Sequence, residues 1–262
     1  MSLWLLLATA FAFFVVSSVF NMPTVAGYKL KSSGLHEKLF EERDETKTVG
    51  DSRKGCAESL TENVDRKLFP VECDTMPQTI LLIGDSMLEG LGPRLAAYAD
   101  ENGHSLYTVI WYSSTSEVWG KSERLRHYIG LLHPTYIVLS LGANELFVRD
   151  IAVKREDYVK KIIADMDSIP YLWIGPPNWK QDTGINDLIE ANTPEGAFFR
   201  SDGMSFERAG DGAHPTRSSA AEWADSIARW MPEHSRHPIR MKMPKKQSGK
   251  PVRTFIHSPN DN

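Results

Sequence analysis

Short, continuously apolar runs alternate along this chain with stretches that are apolar on one face only, and that alternation leaves few architectures open. Thr79 to Ile83 is the first such run; Leu106 to Trp111, Tyr136 to Leu141 and Tyr171 to Ile174 repeat the pattern, and Phe198-Phe199 offers a fifth. A strand covered on both faces has no polar side to show, so its sequence reads as an unbroken apolar run. Between the runs lie helical patterns. Leu88, Leu91, Leu95 and Tyr98 share one face and stop at Asn102-Gly103. Leu125, Tyr128, Ile129 and Leu132 stop at His133-Pro134, and Tyr158, Ile162, Ile163 and Met166 stop before Pro170. Ala220, Trp223, Ile227 and Trp230 form the last face, with Thr216 placed to cap it. Strands alternating with helices imply parallel pairing through right-handed crossovers. The expectation is a three-layer α/β/α sandwich over residues 76–235, within the size of one domain.

The flanks differ in kind. Met1 to Tyr28 carries no charged side chain, and Leu3 to Phe20 is almost wholly apolar. About 18 such residues approach a helical membrane span, so 1–28 is expected to be an anchor or a signal segment. The basic n-region of a secretory signal is missing, which favours an anchor. Lys29, Lys31 and Lys38 follow the run, and the positive-inside tendency argues against export of what lies beyond them. The reading nevertheless adopted is an extracytoplasmic, periplasmic domain tied to the membrane. Residues 29–75, rich in Lys, Glu, Asp and Ser, read as a stalk or lead-in. Cys56 and Cys73, the two cysteines of the chain, either pair in an exported domain or remain without a role. From 236 to 262 the chain is basic and proline-rich, with Asp261 the only acid. It reads as a solvated, disordered tail, or alternatively as a contact for anionic lipid or polymer.

In an open parallel sheet, ligands sit beyond the carboxyl ends of the strands. The segments leaving those ends are Gly84-Asp85-Ser86, Tyr112 to Ser116, Gly142-Ala143-Asn144-Glu145 and Gly175 to Trp179, with Asp211-Gly212-Ala213-His214-Pro215 before the last helix. Any one of them could be an ordinary turn. Together they supply what acyl transfer needs: a hydroxyl, a base, a group orienting the base, and donors for an oxyanion. Ser86 opens a helix, where free N–H groups and the dipole favour developing negative charge. His214 is the base, Asp211 can hold its ring, and Asn144 offers an amide.

Gly84-Asp85-Ser86-Met87, Gly142-Ala143-Asn144-Glu145 and Asp211 to Thr216 resemble the first, third and fifth blocks of the SGNH, or GDSL, hydrolases, in the right order across the central domain. The resemblance implies a flavodoxin-like parallel sheet and an ester hydrolase or acyltransferase. It implies Ser86 as nucleophile, His214 as general base, Asp211 as its partner, and Asn144 with the Ser86 N–H as oxyanion donors. The family's second block supplies a glycine N–H; the matching loop here has none, and Ser114 or a neighbour is expected to serve. Glu145 stands where the family usually has Asp. The central segments look closest to membrane-anchored bacterial members, some linked to O-acetylation or deacetylation of polysaccharides.

Other chemistries fit less well. GxSxG is absent, Gly90 and Gly92 lack dinucleotide spacing, and no Walker lysine follows them. The histidines lack metal-ligand spacing, so neither metal nor cofactor is expected. A net charge of −4 points away from nucleic acid. Trp119 and Trp179, in polar loops, are candidates for stacking on a sugar, while Trp111 and Trp173 belong to the core. Arg149 and Arg208 could meet an acidic polymer. The expected substrate is a small O-acyl group, acetyl above all, on a carbohydrate or envelope polysaccharide. Transfer rather than hydrolysis would call for a donor-presenting partner such as a membrane acyltransferase. A non-catalytic carbohydrate-binding or scaffold module and a lipid esterase are the alternatives.

Overall fold

The computed structural model describes residues 24–25, 28–29, 72–246 and 253–261. It divides into two units, residues 1–51 and 52–262. In the first, β1 (Thr24–Val25) pairs antiparallel with β2 (Tyr28–Lys29). The proposed anchor run Leu3 to Phe20 and most of the proposed stalk lie outside the described residues. Among the described residues no helix is long and apolar enough to cross a membrane.

The second unit is built on the expected alternation. In order come β3 (Thr79–Gly84), α1 (Leu88–Asn102), β4 (Ser105–Trp111), α2 (Ser116–Lys121), α3 (Arg124–Leu132), β5 (Tyr136–Ser140), α4 (Ile151–Met166), β6 (Tyr171–Ile174), α5 (Ile185–Asn192), β7 (Phe198–Phe199), α6 (Arg217–His234) and β8 (Arg253–His257). The sheet order is β7-β6-β5-β3-β4-β8, and every pairing is parallel. Its first five strands follow the flavodoxin-like order, so the chain reverses its direction of travel across the sheet between β4 and β5. Alternate strand residues face opposite layers. Leu81, Ile83, Val109, Ile137, Leu139 and Trp173 pack toward α2 to α5. Ile80, Leu82, Ile110, Val138, Leu172 and Ile174 pack toward α1 and α6, with Trp223 and Ile227. The stop at Asn102-Gly103 works as expected: Gly103 adopts φ +76° and closes α1. Thr216 caps α6 by accepting from the Ser219 N–H at 3.3 Å.

Both expected domain edges need correction. The folded domain already includes Asp74, which lies within the expected lead-in of 29–75, because Asp74 bridges in parallel to Ile239. Its N–H donates to Pro238 O at 2.8 Å, and its carbonyl accepts from the Arg240 N–H at 3.0 Å. Residues 236–246 and 253–261 are not a disordered tail. Ile239 is 2% exposed, and Lys242 exchanges two hydrogen bonds of 2.9 Å with the Asn102 side chain. His104 links both ends: its Nδ1 accepts from the Gln78 N–H at 2.9 Å, and its Nε2 lies 2.7 Å from Arg240 O. Burial lowers its pKa, which suits a neutral ring accepting at one nitrogen and donating at the other. Farther on, β8 becomes the sixth strand. A run of lysines and arginines tells which side chains face water; it does not tell whether the backbone between them is paired.

If the segment after α6 belongs to the core, Ile239→Ala should lower unfolding free energy by about 2–4 kcal/mol, the cost of truncating a buried aliphatic side chain. Chemical denaturation checks this, and a solvated tail would leave the midpoint unchanged.

Candidate active site

The site begins where β3 and β5 nearly touch. A Cβ on Gly84 would lie 2.1 Å from Ser140 O, so only glycine fits. The Asp85 N–H donates to that carbonyl at 3.2 Å. The chain then turns: Asp85 Oδ1 accepts from the Met87 N–H at 2.9 Å, and the Leu88 N–H donates to Asp85 O at 3.2 Å. Met87 and Leu88 are buried, which seats the first turn of α1 and leaves Ser86 partly open at the sheet's carboxyl edge.

His214 reaches this edge from a turn between residues 207 and 216. The Ala209 N–H donates to His214 O at 2.8 Å, and the Thr216 N–H donates to Glu207 O at 2.8 Å. Gly212 turns the loop at φ +71°. His214 Nε2 lies 2.8 Å from Ser86 Oγ, and Nδ1 lies 2.7 Å from Asp211 Oδ2. Asp211 Oδ1 also accepts from the backbone N–H groups of Ala213 (2.8 Å) and His214 (2.9 Å). With Nδ1 donating to the carboxylate, Nε2 is the acceptor for the serine proton. The His214 and Ala213 N–H groups, followed by the imidazole, lower the Asp211 pKa to about 2, so this carboxyl is ionised throughout the neutral range.

Asn144 leaves β5 through Gly142, whose φ of +119° excludes a side chain. Its Nδ2 donates to Ser114 O at 3.0 Å and, over a long 3.4 Å, to Asp85 Oδ2. Asp85 itself is fully buried, and burial raises its pKa to about 7 against the opposing Met87 hydrogen bond. Glu145 is equally inaccessible; burial raises its pKa too. It ties three elements together, accepting from the Ser116 N–H and Oγ at 2.8 Å each and from Arg155 Nε at 2.7 Å. Sequence reasoning gave neither acid a part. The signal was available for Asp85, a carboxyl between a buried strand and a buried helical turn.

Two expectations fail. Ser114 cannot offer its N–H to an oxyanion, because that group donates to Trp111 O at 3.1 Å in a tight turn. Its hydroxyl accepts from Trp119 Nε1 at 2.9 Å. The residue before it, Ser113, adopts φ +58° and is exposed. Among the hydrogen bonds of the described residues, neither the Ser86 nor the Ser113 N–H donates within the chain. Trp119 is no sugar platform either: it is 1% exposed and packs edge-on against Trp111 at 5.4 Å. The polar residues around it belong to α2, whose inner face it fills. Trp179 does lie at the rim, half-buried, with Nε1 donating to Ala143 O at 3.0 Å and the exposed Phe147 ring 6.4 Å away.

No family model and no curated protein matches the chain. Among solved structures it is similar to the psychrotrophic esterase EstA from Pseudoalteromonas sp., with 19% identity and a TM-score of 0.41 over 58% of this chain and 97% of that one. It is also similar to a G-D-S-L family protein from Desulfitobacterium hafniense, with 12% identity and a TM-score of 0.43 over 58% and 98%. A structure of TesA matches at 18% identity with a TM-score of 0.40, over 57% and 96%. The chemistry of the site therefore rests on its own geometry.

The buried Asp85 yields a prediction with a definite sign. A carboxyl whose native pKa is raised binds its proton more tightly when folded, so its contribution to stability declines as pH rises from its unfolded value toward 7. Asp85→Asn, which cannot ionise, should gain on the native protein across that window, by up to roughly 4 kcal/mol at neutral pH. Unfolding titrations from pH 4 to 8 check this, and a constant difference between the two proteins would refute it.

Proposed function

We propose that this protein is a serine-dependent ester hydrolase acting through an acyl-enzyme, with Ser86, His214 and Asp211 as its catalytic residues. One observation carries the reading: Ser86 Oγ, His214 Nε2, His214 Nδ1 and Asp211 Oδ2 form a continuous chain of short contacts, 2.8 and 2.7 Å. The three blocks that resemble the SGNH family meet at one sheet edge, as the resemblance implies.

The steps follow from the groups in place. The Ser86 oxygen attacks the acyl carbonyl while His214 Nε2 takes its proton. Asp211, ionised, steadies the imidazolium without taking a proton itself. The oxyanion forms beside the N–H groups of Ser86 and Ser113 and the Asn144 amide, which can exchange its long contact with Asp85 for a charge-assisted bond. Collapse expels the alcohol, which receives the proton from His214. Water, activated by the same imidazole, then attacks the acyl-enzyme and releases the acid.

For the substrate we infer a small acyl group, acetyl above all, on a carbohydrate. The mostly polar rim loops and the aromatic pair Phe147 and Trp179 support this. An apolar cavity lies under the sheet's α1 and α6 face, among Ile80, Leu106, Leu172, Ile239 and Met241, none of them a residue of the Ser86 site. We also place the catalytic domain outside the cytoplasm on a membrane anchor. The apolar run Leu3 to Phe20 and the disulfide-bonded state of Cys73 support that placement. If the acyl-enzyme is instead intercepted by a sugar hydroxyl, the same residues carry out transfer, and a membrane acyltransferase is a fitting donor partner.

Ser86→Ala and His214→Ala should each abolish hydrolysis of p-nitrophenyl acetate without unfolding the protein. Asn144→Ala should lower kcat about a hundredfold or more with little change in KM, as expected for a donor used in the transition state. Steady-state kinetics with circular dichroism check all three. A faster rate on a long-chain ester would favour a lipid esterase, and turnover of neither ester by the native protein would leave a binding module or strict transfer.

A further inference from the structure

The rim beyond β6 holds two cations with no carboxylate partner among the described residues. Arg208 donates Nη1 to Ala213 O at 2.9 Å and Nη2 to Asn178 O at 3.1 Å and Pro177 O at 3.5 Å. Every acceptor is a neutral carbonyl, and burial without a compensating anion lowers the guanidinium's pKa. Lys180 is exposed, with its ammonium 4.5 Å from the Trp179 ring centre and 5.2 Å from that of Phe147. Of the acids nearest in sequence, Asp182 and Asp211 are engaged elsewhere, and the exposed Glu207, next to Arg208 in the chain, forms no ion pair with it among the described residues. Asp182 accepts from the N–H groups of Gly184, Ile185 and Asn186 and from Asn186 Nδ2, while Asp211 holds His214.

The two rings lie against Lys180, and Arg208 holds the backbone carbonyl of Asn178, the residue before Trp179. Phe147 is 54% exposed, unusual for a phenyl group in a folded domain. Both ends of the cluster touch the reacting groups through one residue. Trp179 bonds to the carbonyl of Ala143, the neighbour of Asn144, and Arg208 bonds to the carbonyl of Ala213, the neighbour of His214. A flat apolar surface with unneutralised positive charge beside it complements a ring with an apolar face and an anionic substituent.

We propose that Phe147, Trp179, Lys180 and Arg208 form the subsite for the alcohol part of the ester, and that it takes an O-acylated sugar bearing a carboxylate. This rests on the hydrolase reading and adds the charge of the substrate to it. The carboxylate meets Lys180 and the free edge of Arg208, while the sugar ring lies against Phe147.

The test compares kcat/KM on an O-acetylated methyl glucuronide and the matching methyl glucoside, with p-nitrophenyl acetate as reference. The native enzyme should prefer the uronate about tenfold, and Lys180→Gln should reduce that preference about threefold, as should high salt. Arg208→Gln, which also frees the Ala213 carbonyl, is read by the same ratio and should reduce it further. Phe147→Ala should slow both sugar esters relative to p-nitrophenyl acetate. Equal rates on the two sugars, or a ratio unchanged in Lys180→Gln, would overturn the subsite while leaving the hydrolase standing. If p-nitrophenyl acetate is not turned over, the hydrolase reading fails by itself. Binding of both sugars to Ser86→Ala, followed by NMR, then decides the subsite: tighter uronate binding supports it, and equal binding overturns it.

Discussion

The near-contact of β3 with β5 at Gly84 is the constraint from which the site follows. No side chain fits between residue 84 and Ser140 O, and the next amide, that of Asp85, donates to the same carbonyl. The two strands therefore end side by side at the point where the chain reverses its course across the sheet. Ser86 and Asn144, 58 residues apart by their numbers, leave that point together. Their proximity costs neither of them a direct bond to the other. It is set by backbone geometry, and the side chains remain available for chemistry.

Two aspartates on either side of Ser86 show how environment divides labour between identical groups. Asp211 stands in solvent, accepts two backbone hydrogen bonds and the imidazole's proton donor, and stays charged down to about pH 2. Asp85 has no access to water and keeps its proton up to about pH 7. Pairs of titratable groups driven apart in this way characterise sites where one must remain a charge and the other must not. The charged one holds the His214 ring. The buried one supports the turn that carries Ser86, through the Met87 N–H, and lies against the Asn144 amide. Glu145, also buried, holds the neighbouring loop by Ser116 and α4 by Arg155.

The apolar runs declared the central strands because burial on two faces leaves a pattern that needs no context. Tyr171 to Ile174 and Phe198-Phe199 became strands with those limits, and β4 and β5 differ from expectation by one residue at an end. The residues brought together at Ser86 were equally legible, since polar segments at successive strand exits, most of them containing glycine, have few structural reasons to recur. What escaped was whatever depends on how a turn or a short helix folds back on its own neighbours. Trp119 reads as a loop residue because α2 is six residues long, too short to show a period, and its burial comes from Trp111 and the Ser114 hydroxyl. Ser114 was favoured as an oxyanion donor because a sequence names the residues of a turn but not which amide the turn closes.

The C-terminal strand is the larger omission, and it bears on the site. β8 pairs with β4 at the sheet edge, and its last residue accepts from the Tyr112 N–H at 3.0 Å. Trp111 Nε1 donates to Ser258 O at 3.0 Å, and the His257 ring lies 2.7 Å from Tyr128 Oη and 2.9 Å from Arg124 Nη1. Trp111 and Tyr112 are the residues that lead into Ser113, whose φ of +58° is a conformation few non-glycine residues hold without support. A glycine would reach that geometry unaided. With serine there, the loop is fastened on both sides: by β8 before it, and by Glu145 at Ser116 after it. Residues 253–258, whose composition suggests a free tail, thus restrain the turn that carries Ser113.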